Sequence, residues 1–398
     1  MKRKLISALV LELCALAALL LLIAGQLDAP AMAPVEGETE AVQTVPVTQP
    51  PATVPPTEPP ATQPPDPVQA RLVAMTVEEK VGQLFLARCP ETGAAEAVQN
   101  YHLGGLVLFD RDFDGQTPDS LRQRLQSYQA AADIPLLLAV DEEGGTVTRV
   151  SSHTAFRARR FASPRELYAQ GGMELVLETE REKAQLLRGL GINVNLAPVC
   201  DISTQSGAFM YRRSLGQSPQ ITGQFVAGAI EAMQSQGVAA VMKHFPGYGN
   251  NADTHVGIAT DERSLETLEE YDLQPFFDGI AAGGNAILVS HNIITALDAD
   301  APASLSQAVH RYLRLAMGFD GVIMTDDLSM DAITQRYGAR EAAVLAVLAG
   351  NDLLCSTEYE TQYQAVLTAC RSGRISEDTL NQAAGNVLRW KEKMGLVA

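Results

Sequence analysis

Residues 238–255 read VAAVMKHFPGYGNNADTH, and this stretch indicates the fold of the chain more clearly than any other. Its short apolar run ends in Lys243 and His244, before a Pro-Gly-x-Gly turn. An apolar strand with charged side chains at its carboxyl end is typical of a parallel β/α barrel, which carries its catalytic residues there. Asp253 and His255 follow two residues apart, a spacing at which the carboxylate can orient and charge the imidazole. Taken alone, the same letters also fit a surface turn, because Gly and Pro mark loops in every fold class.

Short apolar runs, each followed by polar residues, recur along the chain with helical stretches between them. They cover residues 104–109, 135–140, 193–199, 239–242, 286–290, 321–325 and 352–355. Continuous apolar strands that alternate with helices indicate a buried parallel sheet. Charged residues close nearly every run, and no G-x-G-x-x-G follows the first, so a closed barrel is favoured over an open doubly wound sheet. We therefore predict an α/β protein with a TIM-type (β/α)8 barrel, although no strand is visible in residues 70–86.

The amino-terminal part of the chain has a different character. Basic residues at positions 2–4 precede an apolar run that reaches about residue 25, a pattern typical of a signal peptide or a membrane anchor. We predict such a segment at residues 1–26, with an uncleaved anchor favoured. Residues 27–68 are rich in Pro and Thr and are predicted to be a disordered linker, because they have too little apolar surface to offset the entropy of ordering. The folded domain is then predicted at residues 69–398, and we expect it to be held outside the cytoplasm, at the membrane or in the cell wall.

Composition argues against several classes of function. The net charge of −17 argues against nucleic acid as a partner, because phosphate contact needs clustered Lys and Arg. The cysteines of the domain have no CxxC spacing, and no two of the six histidines form an H-x-H pair. We therefore predict no metal site and no cofactor, and we favour buried free thiols over disulfides.

Two neighbouring carboxylates, Asp326 and Asp327, follow the apolar run 321–325. Side chains alternate between the two faces of a strand, so only one of them points into the barrel mouth. Met324 is a natural inward residue, which places Asp326 on the inward side. A carboxylate there can attack an electrophilic sugar carbon. Asp327 is expected to cap a helix that starts in residues 327–330.

Charged side chains in two other loops suit a polyhydroxylated ligand. Asp141 follows the run 135–140, and Arg149 comes eight residues later. A carboxylate that accepts from two hydroxyl groups beside an arginine that donates can hold a sugar, but an ordinary ion pair fits equally well. Arg213 is a further cation in a loop, and in isolation it also fits the surface.

Taken together, these motifs resemble glycoside hydrolase family 3, in its single-domain β-N-acetylglucosaminidase branch. The most specific piece is Lys-His-Phe-Pro-Gly-x-Gly from Lys243, followed by Asp-Thr-His at residues 253–255. The other pieces follow in the family's order: DEEGG from 141, APVCD from 197, RSLG from 213, PASLS from 302 and TDDLSM from 325. The resemblance covers about residues 75–396. Position 248 departs from it, with Tyr where the family commonly has His.

The resemblance implies a barrel and a retaining, two-step displacement. Asp326 would be the nucleophile, and His255 paired with Asp253 would be the general acid and base. Five further side chains would hold the sugar in the first subsite: Asp141, Arg149, Arg213, Lys243 and His244. The implied substrate is a glycan with terminal β-linked N-acetylglucosamine, and peptidoglycan fragments fit a chain held outside the membrane.

Other functions remain open from the residues. A β-glucosidase or a phosphorylase would use the same fold, and the sequence does not choose between water and phosphate as the acceptor. A non-catalytic surface sugar-binding protein would not need Asp326, Asp253 and His255 together. A metal-dependent barrel hydrolase would need several convergent imidazoles.

Overall fold

A computed structural model gives the fold of the chain, and it describes residues 66–249 and 257–397. The predicted membrane segment and nearly all of the predicted linker lie outside the described residues, as do Asp253 and His255. Within the described ranges, no helix has both the length and the apolar character needed to cross a bilayer. The first described helix begins at Pro67, so the predicted domain boundary at residue 69 falls inside its first turn.

Short parallel strands form the centre of the described domain. They are β1 (Phe85–Arg88), β2 (Gly105–Leu108), β3 (Leu137–Val140), β4 (Val194–Asn195), β5 (Ala239–Ala240), β6 (Met242–Phe245), β7 (Thr260–Asp261), β8 (Ala286–Val289), β9 (Ile293–Ile294), β10 (Val322–Thr325) and β11 (Leu354–Ser356). Pairing runs β11-β1-β2-β3-β4-β5 in one sheet and β10-β8-β6 in another, while β7 and β9 pair separately. β6 follows β5 after one residue, and a parallel bridge joins Met324 on β10 to Leu353, directly before β11. The strands thus close into a barrel of eight strands, in which β5 and β6 count as one, and the predicted TIM-type barrel is confirmed.

Helices separate most of the barrel strands along the chain. They are α1 (Pro67–Ala74), α2 (Val77–Gln83), α3 (Ala94–Tyr101), α4 (Pro118–Ala130), α5 (Pro164–Leu190), α6 (Pro219–Gln234), α7 (Leu265–Glu270), α8 (Gln274–Ala281), α9 (Gln307–Arg311), α10 (Asp331–Ala349), α11 (Tyr359–Arg371) and α12 (Glu377–Lys393). Several begin with Pro, whose missing N–H costs nothing in a first turn. α5 and α10 are each kinked at glycine, at Gly171–Gly172 and at Gly338.

Strand β1 was not visible in the sequence, and its position explains why. It begins two residues after α2, with only Leu84 between them, so its apolar residues continue the pattern of the helix. Its pairing with β2 and β11 is long-range, and that pairing selects the extended conformation. The structure therefore places Arg88, the last residue of β1, at the carboxyl end of the barrel.

Alternating residues of the barrel strands fill the barrel interior. Leu86, Val107, Leu137 and Met324 belong to this inner cluster, as do residues of α12 such as Trp390. Trp390 also lies beside Val322 and Asn285, at the amino ends of β10 and β8, so α12 closes that end of the barrel. The interior placement of Met324 agrees with the side predicted for it.

The predicted helix cap by Asp327 is wrong. Helix α10 begins at Asp331, and its N-cap residue Met330 has no side-chain cap. Asp327 Oδ1 instead accepts from the backbone N–H of Ser329 at 2.9 Å and from that of Thr357 at 3.2 Å. Asp327 therefore fixes the loop after β10 to the loop after β11.

The cysteines of the described domain are unpaired. Cys89, Cys200 and Cys355 are buried, and Cys370 is half-buried. Burial raises the pKa of the Cys355 thiol well above its ordinary value. The predicted burial holds for three of these thiols, whereas Cys370 is only half-buried.

Candidate active site

A cavity of about 1000 Å³ opens at the carboxyl ends of the barrel strands. Its wall includes six of the side chains that the sequence singled out: Asp141, Arg149, Arg213, Lys243, His244 and Asp326. The other two, Asp253 and His255, lie outside the described residues. The fold thus brings together every described residue of the predicted site, while the chemical role of each stays a prediction.

Buried ion pairs join three residues that line the cavity, Asp141, Lys243 and Arg213, through Glu143, which does not line it, and we call these four residues the floor. Lys243 Nζ lies 2.6 Å from Asp141 Oδ1 and 2.7 Å from Glu143 Oε1. Glu143 also accepts from Nε and Nη2 of Arg213, at 2.9 and 2.6 Å. Burial opposes the charge on Glu143, but Arg213 and Lys243 outweigh it and hold the pKa of this carboxyl well below its ordinary value. The floor is therefore a fixed array of two cations and two anions.

The loop after β3 is shaped by the carboxylate of Glu142, which is fully buried. It accepts from the backbone N–H of Arg149 at 2.9 Å and of Val150 at 2.7 Å, and from the hydroxyl of Ser151. These bonds fold residues 149–151 back towards the strand end. They explain how Asp141 and Arg149, eight residues apart, line the same cavity.

Steric crowding explains why this loop has glycine at position 144. Gly144 has a φ of 101°, and a Cβ there would lie 2.3 Å from the carbonyl oxygen of Ala162. The carbonyl of the preceding residue, Glu143, accepts from Lys183 Nζ at 2.6 Å, and Lys183 pairs with Glu180 at 2.7 Å. Helix α5 therefore holds the backbone that carries the central carboxylate of the floor.

His244 is oriented by Asp201, a residue that the sequence placed at a strand end without a role. Its Nδ1 lies 2.7 Å from Asp201 Oδ2, and its Nε2 lies 3.2 Å from Arg213 Nη2. Because a guanidinium only donates, Nε2 accepts from Arg213 and the Nδ1–H donates to Asp201. The imidazole is thus held between an anion and a cation.

An irregularity in β6 lets consecutive side chains share the cavity. In a regular strand, Lys243 and His244 would point to opposite faces. The register with β8 shifts between Lys243 and Phe245, and both Lys243 and His244 line the cavity. Both residues were visible in the sequence, but the strand distortion that brings them to one side was not.

Asp326 lies half-buried at the end of β10, in the wall of the cavity. Its Oδ1 accepts from the N–H of Asp327 at 2.8 Å. Burial opposes its charge, but His291 first, together with the N–H of Asp327 and the charge of Lys243, outweighs this and lowers the pKa of the carboxyl. Asp326 is therefore an anion at neutral pH, as a nucleophile must be.

Two arginines flank an aromatic ring on another side of the cavity. The guanidinium carbon of Arg88 lies 4.4 Å from the ring centre of Phe109, and that of Arg149 lies 5.8 Å away. All three line the cavity. Asp141, for which a pair with Arg149 was open, instead pairs with Lys243 in the described part of the chain.

Comparison with known proteins gives the family. A family model described as the glycosyl hydrolase family 3 N terminal domain matches residues 76–390. The chain belongs to this family. The resemblance inferred from the motifs is confirmed, and the chain is a glycoside hydrolase.

Relatives of this family 3 enzyme carry related names. A beta-hexosaminidase of Xanthomonas axonopodis pv. citri is 36% identical over 271 residues, covering 66% of this chain and 79% of that protein. A beta-hexosaminidase of Mycobacterium tuberculosis is 29% identical over 333 residues, covering 80% and 83%. The solved structure of a family 3 beta-N-acetylglucosaminidase from Paenibacillus sp. matches with a TM-score of 0.76 and 34% identity, covering 81% of this chain and 64% of that one.

Tyr248, the departure from the family pattern, is buried beside His244 in the family 3 enzyme. Its ring is 5.3 Å from the imidazole, in an edge-on arrangement. Its backbone N–H donates to Asp201 Oδ1 at 2.7 Å. Tyr248 therefore packs against the imidazole of His244 and holds the carboxylate of Asp201, while part of it lines the cavity.

Several residues of the site carried no predicted role. Glu143 and Asp201 stand inside quoted motifs, and Arg88 ends a strand that was not visible. His291 follows β8, and its Nε2–H donates to the carbonyl of Asp327 at 3.0 Å. The signal that points to Glu143, Asp201 and His291 is their position directly after an apolar run.

Metal-ligating types also gather elsewhere in the described domain. Three ligand atoms come close together in two groups: Glu79, His102 and Asp133, and Asp110, Asp114 and His153. None of these residues lines the cavity. The prediction that the enzyme needs no metal or cofactor stays a prediction.

Proposed function

We propose that this family 3 enzyme is an exo-acting, retaining β-N-acetylhexosaminidase that releases terminal β-linked N-acetylglucosamine. The observation that carries the proposal is the ionised carboxylate of Asp326, held at the end of β10 beside the buried ion pairs of the cavity floor. The names of the relatives, beta-hexosaminidase and beta-N-acetylglucosaminidase, support the choice of sugar.

The floor suits a sugar ring with several hydroxyl groups. Asp141 is the more exposed carboxylate of the floor, with 17% of its side chain accessible against 2% for Glu143. It keeps acceptor capacity for sugar hydroxyls, while Lys243 and Arg213 donate. Because these groups already fix one another, the sugar meets an array that needs no reordering, which favours binding.

The proposed chemistry has two steps. In the first, a carboxylate oxygen of Asp326 forms a bond to the anomeric carbon, the glycosidic bond breaks, and the leaving oxygen takes a proton from His255. In the second, His255 removes a proton from water, the water oxygen attacks the anomeric carbon, and Asp326 leaves as a carboxylate. Asp253 would keep the imidazole oriented and charged.

We extend the proposal to the place of action. Residues 1–26 would act as a signal peptide or membrane anchor, and residues 27–68 as a spacer, so that the barrel works outside the cytoplasm on cell-wall glycans such as peptidoglycan fragments. The support is the sequence alone: basic residues at positions 2–4 before an apolar run, then a Pro- and Thr-rich stretch.

The test combines a substrate panel with trapping. We expect the 4-nitrophenyl β-N-acetylglucosaminide to be cleaved faster than the glucoside, with no gain from added phosphate. A 2-fluoro sugar with a good leaving group should add one glycosyl mass to the wild type and none to Asp326→Ala. A faster glucoside would overturn the choice of sugar, and phosphate dependence would make the enzyme a phosphorylase. A labelled Asp326→Ala protein would remove Asp326 as the nucleophile.

A further inference from the structure

A second cavity, of about 540 Å³, adjoins the catalytic cavity. Thr146 and Arg212 line both cavities, so the two share a wall. We call this second cavity the side groove. Its other lining residues include Arg160, Arg165 and Glu166.

The side groove carries excess positive charge in an acidic protein. Its ionisable lining consists of three arginines and one glutamate, whereas the whole chain has 47 acidic and 30 basic residues. The carboxylate of Glu166 caps helix α5, because its Oε2 accepts from the N–H and the hydroxyl of Ser163 at 2.9 Å each. The lining therefore holds more cations than anions, three arginines against one glutamate that serves as a helix cap.

Two of the three arginines have guanidinium groups to spare. Arg165 donates to the carbonyl of Tyr211 at 2.9 Å and packs on its ring, so it serves the fold. Arg160 makes one long contact, 3.5 Å to the carbonyl of Gly145. Arg160 and Arg212 are exposed, and neither is paired with a carboxylate in the part of the chain that the structure describes. An unpaired arginine offers a planar pair of donors that matches carboxylate and phosphate.

The position of the groove relates it to the leaving group. In the proposed function, the terminal sugar lies against Asp141, Lys243 and Asp326, which line the catalytic cavity. Arg212 is exposed and, with Thr146, lies where the side groove meets the catalytic cavity. A substrate that continues past the terminal sugar can therefore reach Arg212 and Arg160.

We propose that the side groove binds an anionic group on the leaving-group side of the substrate, a carboxylate or a phosphate, through Arg160 and Arg212. These two residues would then determine specificity for acidic glycans. The proposal rests on the proposed function, because it takes the Asp326 end of the cavity as the place of the terminal sugar.

The test compares matched leaving groups. Three β-linked N-acetylglucosaminyl disaccharides are used, with a carboxymethyl ether, its methyl ester or a phosphate on the second sugar. We expect Arg212→Gln and Arg160→Gln each to lower the kcat/KM ratio of an anionic substrate to the neutral ester by about tenfold. Raising the salt from about 50 mM to about 500 mM should erase most of the wild-type preference. A loss confined to one anion identifies it as the ligand, and a loss on both assigns a general anion site.

The control is Arg159→Gln, an exposed neighbour that lines neither cavity. It should leave the ratio unchanged, and a loss equal to that of Arg160→Gln would overturn the groove in favour of a general surface charge. An equal loss on acid and ester, or no loss on either anion, would also overturn it. Failure of the proposed function is seen separately, as no cleavage of the neutral ester. In that case, binding of the acid and of the ester is measured by calorimetry on Asp326→Ala, with and without Arg212→Gln. A loss of the preference for the acid in the double variant supports the groove, and an unchanged preference overturns it.

Discussion

The two ends of the barrel each enclose a lysine, and the two lysines differ in charge. At the carboxyl end, Asp141 and Glu143 lie within 2.7 Å of Lys243. Burial opposes the charge of Lys243, yet these carboxylates outweigh it and raise the pKa of the amine above its ordinary value. The lysine at this end is a permanent cation.

At the amino end, Lys391 on α12 has an uncharged partner. Its Nζ lies 2.8 Å from Gln83 Oε1, and its side chain is fully buried. Burial first, and the charge of Arg71 second, lower the pKa of Lys391 to about 7. Equal enclosure thus gives opposite results, because the neighbours and not the burial decide the charge. The open end of the barrel keeps a charged array for a ligand, and the closed end encloses an amine that readily loses its proton near neutral pH.

The largest expected effect separates the two lysines by activity. Lys243→Met should lower kcat/KM by about 10³-fold, because it removes a donor from the sugar site and leaves two buried carboxylates without their shared cation. Lys391→Met should retain activity, since α12 lies at the end of the barrel away from the cavity. Rates on a 4-nitrophenyl substrate check both. Comparable losses of kcat/KM in the two variants would mean that the difference in charge between the two lysines does not matter for activity.

The next effect concerns stability at the charged end. Glu143→Gln should lower the free energy of unfolding by about 3 kcal/mol, because Arg213 and Lys243 would stay buried with less negative charge between them. The matched control is Glu341→Gln, whose partner Arg374 is exposed, and it should change stability far less, because solvent screens an exposed pair. Denaturant titration measures both. Equal costs would show that the buried array is no more coupled than a surface pair.

The sequence predicted the open end far better than the closed end. Charged residues after apolar runs showed Asp141, Lys243, His244 and Asp326, because a parallel barrel places strand ends at one face whatever the details of packing. Lys391 gave no such signal, since it stands in a helix with Lys393 and Glu392 nearby and has the pattern of a solvated turn. Its burial comes from the docking of α12 against α1 and α2, nearly 300 residues earlier in the chain.

Long-range contacts also account for the missed and wrong details. Arg88 was missed because β1 exists through pairing with β2 and β11, not through a local pattern. Asp327 was expected to cap a helix, but Thr357, thirty residues later, offers a hydroxyl and an N–H to the same carboxylate. Local rules cannot rank a nearby backbone donor against a distant one, so the choice appears only in the folded chain.

A smaller effect is the pH dependence of stability at the closed end. The ordinary pKa of lysine is about 10.4, above the folded value of about 7 for Lys391. Between these values the unfolded chain binds more protons than the folded one, so stability should rise with pH. From pH 7 to 8.5 the free energy of unfolding of the wild type should rise by about 2 kcal/mol more than that of Lys391→Met. Comparing the two proteins cancels the contributions of the other titrating groups. Lys243 adds no slope there, because its folded pKa lies above the ordinary one. Parallel stability curves for wild type and Lys391→Met would contradict the lowered pKa.

The smallest expected effect is the coupling between Lys391 and its uncharged partner. Lys391→Met leaves the buried Gln83 Oε1 without its donor, and Gln83→Leu leaves the amine without an acceptor, so each should cost about 1–3 kcal/mol. The double variant removes both polar ends and should cost less than the sum by about 1 kcal/mol. The same cycle on Lys243 and Glu143 should give a larger coupling, because both partners are charged and buried. Additive costs in the first cycle would mean that the closed end tolerates its buried amine without the amide, and that packing around Trp390 alone keeps the lysine in place.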